Sequence, residues 1–394
     1  MNEPLSSERR GRGHVIRVAH VAEFSERSSS GVDRMVFGLV SHLDPDGVQA
    51  EVWDLNPSHA SVTERRVGSV SVFQLPCRTR VRSSLLGLPE ATRRFIRERR
   101  DGIDLLHLHS VFIPENVWVA RLARLPYVLT PNGGYSPKVL AGNNRIAKFV
   151  WMKMWERDYA RNASMIHAVS RQELEELRAT FGARPFVFVP NAIDLPAEVP
   201  TPADRMLGPS KRIVFLGRLA IDHKGLDVLL EGYASYVRNQ RDTDTELIVA
   251  GPDFRSGREE LEALAASLLQ SGQVRFTGPL FGPDKEALLR SAYVFVHTSR
   301  WEGMPFAVLE ALAMGCPVLV TAATNLGEYV DEFGAGVVVD GSAQSVAEGL
   351  RRLLEIPAED YATLCSAARR LASARFTWPT VAEQMTSEYD KIPR

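Results

Sequence analysis

The sequence predicts an α/β protein built as two Rossmann-like domains, each a parallel sheet covered by helices on both faces, with a cleft between them. Its 394 residues are too many for one ordinary core, so two domains of similar size are expected. Short β-branched runs alternate with helix-period stretches along the whole chain, and buried strands joined by helices run parallel. Residues 195–210 (LPAEVPTPADRMLGPS) have the proline-rich, small polar composition of a linker. The expected division is 1–194, 195–375 and a terminal segment 376–394.

In the first half, strands are expected over 15–22, 49–55, 70–75, 104–109, 127–130, 164–169 and 186–190. Helix-period stretches over 32–43, 88–100, 116–122 and 171–181 separate several of them. In the second half the strands are 212–216, 246–250, 274–277, 294–297, 318–320 and 337–339. Helices over 225–239, 258–270, 285–291, 307–314 and 345–354 lie between them. A last helix, 379–389, follows Phe376-Thr377-Trp378 and lies too far along to be needed by the second sheet. Parallel α/β sheets hold ligands at the carboxyl ends of their strands, so chemistry is sought there.

Composition narrows the function classes. A net charge of −1 gives no global case for nucleic acid, and 45% hydrophobic with 24% charged residues is ordinary for a globular protein. The balance is uneven: the first 200 residues carry about five surplus positive charges and the rest about six surplus negative ones. Cys77, Cys316 and Cys365 share no metal-ligand spacing and suit a reducing compartment. The opening MNEPLSSERRGRGH lacks the apolar core of a signal peptide, and we expect it to be disordered. The longest apolar stretch, 306–320, is broken by Glu310, Gly315 and Pro317, so no membrane span is expected. A cytoplasmic protein, peripheral to the inner face of a membrane at most, is the expectation.

The strongest signal is FLGRLAIDHKGLD at 215–227. A strand ends at Gly217, Arg218 and Lys224 follow, and a helix begins after Gly225. Glycine admits an anion to the backbone, and a helix start supplies free N–H groups and a positive dipole end. Arg218 can fork across phosphate oxygens and Lys224 adds a point charge, which together suit a diphosphate. The competing reading is a surface loop whose cations face solvent. The second signal is HTSRWEGMPFAVLEALAMGCP at 297–317, with Glu302 in a loop and Glu310 eight residues on in a helix. A carboxylate can accept from two vicinal hydroxyls, so two carboxylates can hold a hexose and a ribose. The N–H groups of Gly303, Met304 and Phe306, around Pro305, could serve the sugar or the phosphates. The competing reading is that Glu302 ends a turn and Glu310 favours its helix.

These two segments resemble the retaining family 4 glycosyltransferases of the GT-B fold, with Glu302…Glu310 as their Glu-x7-Glu pattern and Arg218…Lys224 as their Arg/Lys pair. Further motifs line up in order: Ser28-Ser29-Ser30-Gly31-Val32 as the glycine loop after strand one, then DLLHLHS at 104–110, VSRQE at 169–173 and VPNAID at 189–194. The closing helix resembles the one that crosses back onto the first domain. The resemblance implies that Arg218 and Lys224 stabilise the leaving diphosphate, Glu302 contacts the donor sugar and Glu310 binds the ribose. It also implies a nucleotide-sugar donor, a glycan or lipid-linked acceptor, and no metal. Gly217 and Gly31 would border the donor, and the nucleobase would lie near Thr277-Gly278-Pro279-Leu280. His109, Asn132 and Gly133 would line the acceptor side. One departure is Asn132, where the family often has His; Asn cannot accept a proton as imidazole does. A front-face mechanism, in which the leaving phosphate oxygen takes the acceptor proton, is compatible with it.

Other features compete for attention. Asp242-Thr243-Asp244 spells a metal-binding Asp-x-Asp but precedes a strand, at the end away from the expected site. His107 and His109 share a strand face without further metal-ligand spacing, and His107 reads as structural. Two basic stretches, 77–100 and 145–159, give the first domain a cationic surface suited to an anionic membrane, although the aromatics of 145–159 read chiefly as core. A nucleotide-sugar epimerase, a sugar phosphorylase and a non-enzymatic scaffold remain alternatives. A dinucleotide oxidoreductase is disfavoured because no Gly-x-Gly-x-x-Gly follows a strand.

Overall fold

The computed structural model describes residues 15–24, 31–78, 87–142, 144–207, 210–239 and 244–393. The first sheet comprises β1 (Ile16–Ala22), β2 (Val48–Asn56), β3 (Thr63–Val67), β4 (Val70–Pro76), β5 (Leu105–His109), β6 (Tyr127–Thr130), β7 (Met165–Ala168) and β8 (Phe186–Phe188). Their spatial order is β3-β4-β2-β1-β5-β6-β7-β8. The second sheet comprises β9 (Lys211–Leu216), β10 (Thr245–Ala250), β11 (Val274–Gly278), β12 (Val294–His297), β13 (Val318–Thr321) and β14 (Gly336–Val339), in the order β11-β10-β9-β12-β13-β14. Each sheet grows outward from its first strand and then returns to that strand's other side. The reversal falls between β1 and β5 in one sheet and between β9 and β12 in the other. It opens a crevice at the carboxyl ends of those strands.

Every strand expected from the sequence is present, with ends moved by a residue or two. The addition is β3, which pairs antiparallel with β4. Its sequence, TERRV, is exposed or half-buried along its length, so no apolar run marks it; the hairpin register holds it instead. The 18-residue helix Ala358–Arg375 also went unanticipated. It faces the second core with Ala367, Ala368, Leu371 and Ala372, and alanines give little hydrophobic contrast.

Period-two alternation sorts the strand side chains between the two faces of the first sheet. Leu106 and Leu108 enter one core with Trp53, Leu129 and Ile166. Leu105 enters the other with Val18, Met35, Leu39 and Val128, and the terminal helix Trp378–Tyr389 closes that face through Trp378, Val381, Met385 and Tyr389. The chain crosses back where Ile193 N–H donates to the Phe376 carbonyl at 2.7 Å. Among the described residues no helix is long and apolar enough to cross a membrane.

Candidate active site

β9 and β12 are neighbours, so the loops leaving their carboxyl ends start side by side. After β9 the chain makes Gly217, Arg218 and one helical turn, Ile221–Lys224, which ends at Gly225 with φ of +60°. A Cβ at Gly225 would stand 2.2 Å from the Thr298 carbonyl oxygen, so only glycine lets the two loops touch. The Thr298 hydroxyl fastens the contact, donating to the carbonyls of Lys224 and Gly225 at 3.1 and 3.0 Å.

This seam brings Lys224 Nζ onto Glu302 Oε1, each side chain 11% exposed. The same oxygen accepts from Ser299 Oγ at 2.8 Å and from His297 Nε2 at 3.1 Å. Burial opposes the Glu302 anion, yet the Lys224 ammonium and the neighbouring histidines outweigh it and hold the carboxyl well below the usual carboxylate range. Burial lowers the pKa of His297; burial and the Lys224 charge lower that of His223 to about 4. Both rings are therefore neutral at pH 7, so His297 presents Nε2–H to Glu302 while His223 donates Nε2–H to the Trp301 carbonyl at 2.9 Å. All these donors converge on Oε1 and leave Oε2 without a partner among the described residues.

Arg218 stands apart from this cluster. It is exposed, its guanidinium 5.5 Å from the Phe254 ring centre, and its charge reaches the cluster through space by lowering the pKa of His223. Glu310 lies on the helix Phe306–Ala313, whose N-cap is Pro305. Two cations share its Oε1: Lys285 Nζ at 2.5 Å and, from the first domain, Arg34 Nη2 at 2.6 Å. Lys285 sits on the helix Gly282–Ser291 just after Leu280, which packs half-buried against the second core.

The first domain closes directly onto these groups. A Cβ on Gly31, at the start of the helix Gly31–His42, would lie 3.5 Å from the Phe306 ring. One on Gly133 would lie 3.9 Å from Gly303. Asn191 Nδ2 donates to the Met304 carbonyl at 3.0 Å, and Lys138 Nζ to that of Arg300 at 2.5 Å. Asn132 follows β6 in the left-handed region, with φ of +52°. Its loop is pinned by buried Glu173, which accepts from Gly133 N–H at 2.6 Å and Val169 N–H at 2.9 Å. Burial pushes the Glu173 carboxyl up to about 7.

The expectation for His109 is corrected. Its ring is 1% exposed and does not line the cleft. It shares the face of β5 that carries Leu105 and His107, which the terminal helix covers. There His20 Nδ1 and His109 Nε2 bond each other at 3.0 Å, while His107 bonds Tyr389 and Thr130, both at 2.6 Å. Burial keeps all three imidazoles well below the usual histidine range. Of the Asp-x-Asp, Asp242 and Thr243 lie outside the described residues, as do Ser28, Ser29 and Ser30 of the glycine loop.

Several participants gave no sequence signal: Arg34, Lys138, Glu173 as a loop anchor, Lys285 and Asn325. Asn325 donates to the carbonyls of Glu302 and Gly303 at 2.7 and 2.8 Å and so shapes the loop. Apart from the local bond of Glu173 to Val169, these contacts span 22 to 276 residues of chain, which spacing cannot reveal.

Comparison with known proteins agrees with this geometry. Residues 29–196 match the family described as Glycosyltransferase Family 4, and residues 210–356 match that described as Glycosyl transferases group 1. Phosphatidyl-myo-inositol mannosyltransferase of Mycobacterium leprae is 25% identical over 386 residues, covering 96% of this chain and 97% of that one. D-inositol 3-phosphate glycosyltransferase of Corynebacterium urealyticum is 28% identical over 319 residues, covering 76% and 74%. Among solved structures, sucrose-phosphate synthase from Thermosynechococcus elongatus superposes with a TM-score of 0.74 at 21% identity, covering 95% of this chain and 98% of that one. With both domains matched in order and the GT-B architecture in place, the chain belongs to the family 4 glycosyltransferases.

Proposed function

We propose that this glycosyltransferase moves a hexosyl group from a UDP- or GDP-sugar to a hydroxyl of a glycan or lipid-linked acceptor, retaining the anomeric configuration, in polysaccharide or glycoconjugate synthesis. The observation that carries this reading is the Lys224–Glu302 pair, buried at the carboxyl ends of β9 and β12 with Glu302 Oε2 left unpartnered. Glu302 holds hydroxyls of the donor sugar, and Glu310 holds the ribose. Lys224 and Arg218 offset the charge that gathers on the departing diphosphate, the electrostatic role that dominates such transfer. The acceptor oxygen bonds to the anomeric carbon on the face the diphosphate leaves, and the acceptor proton passes to the leaving phosphate oxygen. No imidazole base is needed, which suits Asn132. Gly217, Gly303, Met304, Pro305, Phe306, Gly31 and Leu280 border the donor; Asn132 and Gly133 border the acceptor. No step passes through a metal, and no nucleic acid takes part. Free Cys77, Cys316 and Cys365 and a nucleotide-sugar donor fit a cytoplasmic setting. The names of the two relatives point to inositol-bearing acceptors, which supports a polyol hydroxyl as the receiving group.

Thermal-shift titration with UDP, GDP and their sugar conjugates tests the donor side. One nucleoside diphosphate and its sugars should raise the unfolding temperature. A chain stabilised by none of them does not bind such a donor, and the reading fails.

A further inference from the structure

The helical segment that begins at Arg145 divides its side chains in a way that folding alone does not require. Trp151, Met152 and Trp155 pack against the first-domain core. Ile146, Phe149, Val150 and Met154 instead face out, 73%, 60%, 46% and 54% exposed. Their spacing of three and four residues puts them on one helix face. Beside them, Leu140, Ala141, Ile146, Phe149 and Met152 line a groove of about 420 Å³ with Arg145 and Lys148 among its walls.

Charge identifies the occupant. Residues 137–159 contain Lys138, Arg145, Lys148, Lys153 and Arg157 against two acids, the exposed Asp158 and Glu156. Glu156 is fully buried, where it accepts from Phe112 N–H at 3.1 Å, Tyr135 Oη at 2.8 Å and the Trp151 indole. None of the five cations has an ion-pair partner among the described residues. The other basic stretch is different: Arg93, Arg94, Arg97, Arg99 and Arg100 are met by Glu90, Glu98, Glu51 and Asp101. Apolar side chains ringed by uncompensated cations match an anionic bilayer surface, where the former enter the acyl boundary and the latter meet headgroup phosphates.

Position gives the surface a use. Lys138, in the adjoining helix Pro137–Ala141, reaches the Arg300 carbonyl across the cleft, and Glu156 ties the outward helix to Tyr135 in the loop that carries Asn132 and Gly133. We infer that the face formed by Ile146, Phe149, Val150 and Met154, flanked by Arg145 and Lys153, docks the enzyme on an anionic bilayer and so sets the acceptor side of the cleft against a membrane-resident acceptor. The choice of acceptor rests on the transfer reading above; the docking itself does not.

The test is co-sedimentation of the full chain with vesicles of phosphatidylcholine alone and of phosphatidylcholine mixed with phosphatidylglycerol. The chain should pellet with the mixed vesicles and stay largely in the supernatant with the neutral ones. Phe149→Glu with Met154→Glu should abolish pelleting. Arg145→Gln with Lys153→Gln should weaken it about thirtyfold, since each removed cation costs roughly a factor of five near such a surface. All variants should keep the wild-type thermal shift with nucleoside diphosphate, which separates lost docking from lost folding. Equal recovery with both vesicles, or variants that pellet like wild type, overturns the proposal. So does a dimer in sedimentation velocity that Phe149→Glu dissolves, because the face would then serve a second copy. A chain that docks but ignores every nucleotide would defeat the donor reading and leave this one standing.

Discussion

Replacing Lys224 with alanine takes away one half of a buried ion pair and leaves Glu302 Oε1 facing Ser299 and His297 only. Stripping one partner from such a pair costs about 3–5 kcal/mol, because the remaining charge stays desolvated. Here His297 and His223 stand 3.1 and 3.8 Å from that oxygen, and without the Lys224 charge each takes up a proton more readily. We therefore expect the lower end, about 3 kcal/mol, shrinking as pH falls and a neighbouring histidine takes up a proton to supply the missing charge. At two to four degrees per kcal/mol, the domain should melt roughly 6–12 °C lower at neutral pH. The catalytic loss is separate: a fixed cation withdrawn from the developing diphosphate charge should cost about 10²–10³ in kcat. Release of nucleoside diphosphate at saturating donor measures the rate, and scanning calorimetry measures the stability. The double variant Lys224→Ala, Glu302→Ala removes the stranded charge, so it should regain most of the stability and none of the activity. Transfer by Lys224→Ala within threefold of wild type, or a double variant no more stable than the single one, would refute the reasoning.

Two further outcomes follow from the same contacts. Glu310→Ala should raise the donor KM by about 10–100-fold with a smaller change in kcat, because a ground-state contact to the ribose is lost; steady-state kinetics in donor concentration would show an unchanged KM if Glu310 serves only Arg34 and Lys285. Glu173 has a folded pKa of about 7 against an ordinary 4.5, so its contribution to stability is complete below pH 4.5 and is lost as pH rises toward 7, about 3 kcal/mol in all. Glu173→Gln should flatten that part of the urea-unfolding profile between pH 4.5 and 7, and an unaltered difference profile would assign the pH dependence to other groups.

Much of the fold was legible in local pattern. Strands such as Val294–His297 and Val318–Thr321 are buried on both sheet faces and read as short apolar runs, whereas β3 and the alanine-faced helix Ala358–Arg375 lack that contrast. Lys224 and Glu302 could be nominated because each sits where a strand hands over to a helix, and Glu310 because it follows Glu302 by eight residues in the helix Phe306–Ala313. Their partners could not, since Arg34 meets Glu310 across 276 residues of chain and Lys224 meets Glu302 across 78.

The order of residues alone thus settled the two-sheet architecture, the positions of the strand ends and which side chains stand at them, because strand and helix periods and glycine turns are local properties. Folding settled what each of those side chains faces. His109 ends a strand as expected, yet its side of the sheet is the one the terminal helix covers, so it is lost to the core. The aromatic helix after Arg145, read chiefly as core from its composition, proves to be both core and surface, and only the packing of Trp151, Met152 and Trp155 against the first-domain core on one flank leaves Phe149 and Ile146 outside on the other. Burial is a property of neighbours far away in sequence, and no local pattern encodes it.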